Sequence, residues 1–234
     1  MYYLRSFIII FAICFWDVSL NAQLFGIPTS PRMTPQGLQH FVEYEVGSEA
    51  QYNHWPHPEW PQGMSGVTQG IGYDNGYTAR RQILSDWCFI SEVERLAATA
   101  GIKGRAAKDA AYAVRDIYIP FNGAMDVFQN VDAPRYYQMC RRIFPGFDDL
   151  APLSRDALAS LVYNRGSSMA GPGRIEMREI ARLTSRKDYR GIAFQIRAMK
   201  RLWKNAGLDG LLARREAEAR MVEGCSQRGS HSSE

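Results

Sequence analysis

Glu45, Thr68 and Asp74 carry the groups that acid and base chemistry needs, spread over the first third of the chain. In the stretch PQGLQHFVEYEVG, Leu38, Phe41, Val42 and Glu45 fall at i, i+3, i+4 and i+7, the spacing of one helix face. Glu45 therefore closes an apolar stripe, whereas Glu43 turns towards solvent. A carboxyl group held against apolar surface has its charged form disfavoured and keeps its proton to a higher pH, which is what a general acid requires. The same position also suits an ordinary boundary glutamate or a buried ion pair.

Thr68 and Asp74 belong to GVTQGIGYDNGY, which reads as a β ribbon. Alternate side chains of a strand share a face, so Val67, Gln69, Ile71 and Tyr73 take one side and Thr68, Gly70, Gly72 and Asp74 the other. Two glycines between two polar groups leave room for a ligand to approach the backbone, such as a sugar chain. At about 3.3 Å per residue, a straight strand would hold Thr68 and Asp74 roughly 20 Å apart. The two serve one water molecule only if the chain folds over at the glycines. A Gly-rich hairpin without chemistry has the same composition.

The elements that must position these residues are mostly helical. Between Glu45 and the ribbon, NHWPHPEWPQGMSG is rich in Pro, Gly and Trp and reads as a loop. Its Trp55 and Trp60 suit either flat platforms for sugar rings or a small core beneath the loop. His54 and His57 flank Trp55-Pro56 as surface histidines rather than metal ligands, and no stretch has metal-ligand spacing, so neither metal nor cofactor is expected. After Thr78 the periodicity is helical: RRQILSDWCFISEVERLAATAG up to Gly101, FNGAMDVFQN after Pro120, YYQMCRRI after Pro134. LSRDALASLVYNRG has the apolar content of a central buried helix, and three amphipathic helices follow in GRIEMREIARL, YRGIAFQIRAMKRLW and LLARREAEARMV.

The chain of 234 residues with 46% hydrophobic content suffices for one substantial core. Residues 1–22 read as a secretory signal peptide, with Arg5 ahead of an apolar run from Phe7 to Trp16 that is too short to span a bilayer. Export places the remainder in the periplasm or outside the cell, without stable membrane insertion. Residues 23–223 form the expected folded domain, and 224–234 an expected disordered tail. The net charge is +4, and residues 174–228 hold fourteen Lys/Arg against seven Asp/Glu. A basic lobe on an exported protein suits an anionic envelope polymer better than nucleic acid, although a solvated helical surface has the same composition. With Cys14 in the signal, three cysteines remain, enough for at most one bridge, for which Cys88 and Cys140 are the expected pair.

Taken as a set, these pieces resemble the phage-type lysozymes, and most closely their pesticin-like branch. Those muramidases carry a glutamate at the end of a first helix, a tyrosine seven residues on and a TxGxG ribbon, matched here by Glu45, Tyr52 and Thr68-Gln69-Gly70-Ile71-Gly72. Asn53 and His54 stand where phage lysozymes place an aspartate, and Asp74 follows Thr68 by six residues as in the pesticin-like enzymes. ALASLVYNRGSSMAGPGRIEM is similar to the family's central helix and following turn, and MKRLWKNAGLDGLLARREAEA to its C-terminal helices, so the likeness covers about residues 36–222.

The resemblance implies an α+β, mainly helical lysozyme-like fold, in which a small β-ribbon lobe packs on a larger helical lobe with the active-site cleft between them. It implies hydrolysis of the β-1,4 bond between N-acetylmuramic acid and N-acetylglucosamine in peptidoglycan, with inversion at the anomeric carbon. Glu45 would protonate the leaving oxygen, Thr68 would hold the water, and Asp74 would activate it or stabilise the oxocarbenium-like transition state. Glu49, Glu59 and Asp86 compete with Asp74 as second carboxylate. Tyr52, Gly70, Gly72, Tyr73, Asn164 and Arg165 are the candidate substrate contacts; the tyrosines equally suit packing and Arg165 a helix cap. The expected protein is a monomer acting on peptidoglycan, with an immunity or inhibitor protein as a further partner. A non-catalytic peptidoglycan binder and a lytic transglycosylase are the alternatives; the latter needs the acid but no positioned water.

Overall fold

The computed structural model describes residues 32–204 and 207–228. The expected signal peptide lies outside them. The fold is α+β, mostly helical, with one antiparallel sheet of two short strands.

The first helix, α1 (Pro35–Glu45), starts on Thr34, whose hydroxyl accepts the Gly37 N–H at 3.0 Å. Such a cap satisfies a donor that the first turn leaves open, and Pro35 supplies a preset φ without losing a bond. After α1 the chain reverses at Gly47 (φ +76°) into the single turn α2 (Glu49–Tyr52), capped by Ser48. Strands β1 (Thr68–Gln69) and β2 (Tyr73–Asp74) follow, then a 3-10 turn over Asn75–Tyr77.

The region 80–101 differs from the single helical run its periodicity suggests. It holds two short helices, α3 (Arg80–Asp86) and α4 (Val93–Ala97). The first of them ends at Trp87, and both Trp87, fully buried against the ribbon's Tyr73, and Ile90 belong to the core. Helix α5 (Arg105–Val114) was not foreseen from the pattern, although its alanines favour a helix and Ala107, Ala111 and Val114 give it a buried face.

Helices α6 (Phe121–Val127) and α7 (Ala133–Ile143) are joined by a π turn, Phe128–Asp132. Pro134 has no N–H to continue the regular ladder, and the widened turn accommodates it while burying both Phe128 and Asp132. Helix α8 (Pro152–Arg165) is the central helix: every residue from Ala157 to Val162 is buried, the mark of a helix surrounded on all sides. Leu158 and Leu161 are both at 0% exposure, so truncating either to Ala would cost about 2–5 kcal/mol.

Helices α9 (Ile175–Thr184), α10 (Tyr189–Ala198) and α11 (Asp209–Arg228) complete the fold, with α11 packed on α10 and α8. The tail expected to be disordered from Gly224 is corrected at its start, since α11 runs on to Arg228; residues 229–234 lie outside the described residues. The expected Cys88–Cys140 bridge is also corrected: Cys140 is fully buried in α7 while Cys88 is exposed after α3, and no disulfide joins them. Among the described residues no helix is long and apolar enough to cross a membrane. Much of the basic C-terminal surface is internally paired: Arg197 with Glu216 and Glu223, Lys200 with Glu216, and Arg201 with Glu176.

Candidate active site

The ribbon folds over at Gly70 and Gly72, whose φ angles of +62° and +74° suit glycine. Thr68 and Asp74 thereby become directly opposed across β1 and β2, and Gln69 faces Tyr73. Opposed residues of an antiparallel pair have Cβ atoms about 4.5–5.5 Å apart, so the separation of a straight strand is removed. The side-chain alternation also holds: Val67, Gln69, Ile71 and Tyr73 are buried, while Thr68 and Asp74 keep partial access to solvent.

Gly72 meets a second demand. A β-carbon there would lie 1.8 Å from the Tyr163 hydroxyl, so the ribbon tip and the end of α8 touch only because this residue has no side chain. Gly70 approaches Trp87 in the same way. The loop before the ribbon is tied to it by reciprocal backbone bonds between Glu59 and Thr68, at 2.9 and 2.8 Å.

Asp74 is held by the backbone. Its Oδ1 accepts the N–H groups of Gly66 at 2.9 Å and Gly76 at 2.8 Å, and its Oδ2 makes one longer contact, 3.2 Å, with Gly66. Among the described residues the Thr68 hydroxyl makes one contact, of 3.4 Å, to the Gly66 carbonyl, which leaves it capacity for a water molecule.

Glu45 ends α1 at the edge of a pocket of about 380 Å³, whose wall includes Tyr52, Trp55, Glu59, Thr68 and Gly72. Glu45 and Thr68 thus belong to one cavity, and Gly70 lines it too. Asp74 does not line it; it stands opposite Thr68 across the two strands. Of the rival carboxylates, Glu59 shares the pocket, while Asp86 accepts the Tyr73 hydroxyl at 2.7 Å on the buried side of the ribbon.

The acidity of Glu45 is set by burial, opposed by an ion network that sequence reasoning missed. Burial pushes its carboxyl above the ordinary 4.5, against the opposing pull of Arg214 and of a Tyr163 hydrogen bond. Arg214 Nη1 donates to Glu45 at 2.5 Å, but that cation is shared. Its Nε and Nη2 donate to Ser160 at 3.2 and 3.0 Å, and its Nε stands 3.4 Å from Glu218. Glu218 is fully buried and also takes Arg215 at 2.7 Å and the Ser160 hydroxyl at 2.6 Å. Ser160 gives its one proton to Glu218, so His40, 3.0 Å away, donates its Nε2–H to the same oxygen. Burial pushes Glu218 up, yet Arg215, His40, Arg214 and Ser160 together hold it below the usual range.

Two guanidinium and two carboxyl groups therefore share one interior, with the negative partner of Arg214 divided between Glu218 and Glu45. The sequence signal was the pair Arg214-Arg215 followed by Glu218 at i+4 and i+3, on a helix otherwise legible only as amphipathic. A second buried carboxyl, Asp132 at the π turn, is pushed up to about 7 by burial, with Arg135 pulling it down and Asp86 pushing it further up. It has a long contact to Arg135, 3.5 Å.

The remaining expected substrate contacts divide. Tyr52 lines the pocket, though its hydroxyl is given to the Ile119 carbonyl at 3.0 Å. Tyr73 is buried edge-on against Trp87 and is not in the pocket wall. Asn164 accepts Arg215 at 3.1 Å, and Arg165 donates to the Gly173 carbonyl at 2.6 Å beside the Trp203 ring, so both stitch helices together outside the pocket. The two tryptophans also separate: Trp60 is half-buried with its indole N–H on the Ser65 carbonyl, whereas Trp55 is 57% exposed. Among the described residues no group of three His, Cys, Asp or Glu side chains is placed to hold a metal.

No family model matches the chain, and no curated protein is significantly similar to it.

Proposed function

We propose that this protein is a lysozyme-like glycoside hydrolase, an exported muramidase that cleaves the β-1,4 bond between N-acetylmuramic acid and N-acetylglucosamine in peptidoglycan. The observation that carries this reading is the placement of Glu45 and Thr68 in one pocket, with Asp74 opposed to Thr68 across the ribbon.

Burial outweighs the shared charge of Arg214 at Glu45 and pushes its carboxyl up, the direction that favours the protonated acid. It gives that proton to the glycosidic oxygen as the C–O bond breaks. The Thr68 hydroxyl holds a water molecule at the anomeric carbon, and this water forms the new C–O bond while its proton passes to Asp74. Oδ2 of Asp74, with its single long contact, is the open acceptor. The mechanism needs no cofactor. It operates in the periplasm or outside the cell, on a polymer whose loss harms the producer, so an immunity or inhibitor protein is the partner we expect. A lytic transglycosylase would use Glu45 but give no task to Thr68 and Asp74, and a non-catalytic binder would give none to the raised pKa of Glu45.

The test is digestion of purified peptidoglycan, with fragments reduced by borohydride and weighed by mass spectrometry, beside Glu45→Gln. Reducible muramic ends that vanish in the variant are the expected result. Anhydro-muramic ends would replace this reading with a transglycosylase, and no fragments would replace it with a binding protein.

A further inference from the structure

Beyond Trp55 the pocket that holds Glu45 continues into a second one of about 490 Å³. Trp55 and Glu59 line both, so they form the partition between two halves of one groove. The far wall is α5, where Lys108, Ala111, Tyr112 and Arg115 recur at i, i+3, i+4 and i+7 and so share one helix face.

This groove is preformed. The loop carrying Trp55 is fixed by the Pro56 carbonyl accepting the Ile119 N–H at 2.8 Å and by His57 Nδ1 donating to the Ile117 carbonyl at 2.9 Å. Its other end is fixed by the Glu59–Thr68 backbone pair. Trp55 is thus exposed and yet held in place, with His57 edge-on 5.2 Å away. Across the groove Tyr112, 64% exposed, carries the Arg115 guanidinium over its ring at 3.6 Å. Gln62, in the same wall, keeps φ +78°, a backbone conformation that costs a non-glycine residue free energy.

The chemistry of this wall is specific. A rigid exposed indole and phenol offer flat faces to a sugar ring, and two cations offer partners to a carboxylate. A neutral glycan alone would leave Lys108 and Arg115 unused. We propose that this second pocket takes the sugar unit next to the cleaved bond together with its peptide stem, the ring against Trp55 and a stem carboxylate between Lys108 and Arg115. The assignment rests on the muramidase reading for its choice of polymer.

The test is titration calorimetry of the Glu45→Gln protein with two probes, a soluble disaccharide tetrapeptide and the same disaccharide stripped of its peptide. The tetrapeptide ligand should bind roughly tenfold more tightly, Lys108→Gln/Arg115→Gln should abolish that difference, and Trp55→Ala should weaken both ligands. Equal affinities for the two ligands, no binding of either, or a double variant that keeps the full difference would overturn the assignment. Digestion by the parent protein is read separately. Reducible ends without peptide-dependent binding would leave the muramidase and remove this pocket from it; peptide-dependent binding without digestion would do the reverse.

Discussion

Glu45 and Glu218, on the first and last helices, are bridged by one arginine: Arg214 donates to Glu45 at 2.5 Å and stands 3.4 Å from Glu218. Glu218 thus shares the charge of Arg214 with Glu45, while burial, the largest influence on Glu45, pushes its carboxyl up. Tyr163 and His40 act on Glu45 in the same downward direction as Arg214, and Arg215 adds a further buried cation beside Glu218. In Glu218→Gln the two arginines lose their shared anion. The alkaline limb of the pH–rate profile, set by loss of the Glu45 proton, should then move to lower pH. The variant should also lose about 3–5 kcal/mol of stability, because a buried ion cluster loses a member. A pH–kcat profile beside chemical denaturation checks both effects; an unmoved limb would show that Glu218 does not influence Glu45.

Glu45→Gln removes the proton donor while retaining its shape. General acid catalysis contributes about 10²–10⁴-fold, so turnover of peptidoglycan should fall by at least a hundredfold with the fold intact by circular dichroism. In the parent, the alkaline limb should lie above the ordinary carboxyl value of 4.5, in keeping with the raised pKa of Glu45.

The second carboxylate is decided by a pair of variants. Asp74 is opposed to Thr68 but outside the pocket wall, whereas Glu59 is in the wall and bound to Thr68 through its backbone. If Asp74 accepts the proton of the attacking water, Asp74→Asn should lower kcat by about 10²-fold or more and Glu59→Gln by less than tenfold. The reverse order would transfer the role to Glu59. The initial product should be the inverted anomer, as seen by proton NMR of fresh digests.

Gly72 and Tyr163 should be coupled. Gly72→Ala adds a methyl group 1.8 Å from the Tyr163 hydroxyl and places alanine at φ +74°, which together should lower stability by about 2 kcal/mol or more. Tyr163→Phe removes the clashing atom, so the double variant should be more stable than the sum of the single losses. Thermal melts in a double-mutant cycle measure the difference.

Asp132 should make stability fall with pH. The native state keeps a proton on this carboxyl up to about 7, while the unfolded chain releases it near 3.8. Across that window the native state binds the extra proton, and its stability declines as pH rises, by a few kcal/mol in all. Asp132→Asn should flatten the decline, so that its stability relative to the parent is greater at pH 8 than at pH 5 in urea titrations.

Much of the helical framework was legible because its signals are local. The apolar stripe of α1 ending on Glu45, the uniformly apolar α8 and the alternation from Val67 to Tyr73 each follow from neighbouring residues. The fold-over at Gly70 and Gly72 was legible only as a condition for Thr68 and Asp74 to meet. What escaped depended on distant partners. The helical run of 80–101 breaks after Asp86, Pro134 widens a turn, and Asn164 and Arg165 are drawn away from the pocket by Arg215 and the Gly173 carbonyl. Arg214 lies 169 residues from Glu45, and no local pattern joins the two.

That separation has a consequence for the order in which the protein acquires its properties during synthesis. Ribosomes deliver Glu45, Thr68 and Asp74 early, but the ion cluster beside Glu45 is completed by α11, which emerges well over a hundred residues later. A nascent chain, or one clipped ahead of α11, holds all three residues without Arg214 and Glu218 beside Glu45. The surroundings of Glu45 are therefore complete only once α11 has been made and has packed against α1, however early α1 itself forms.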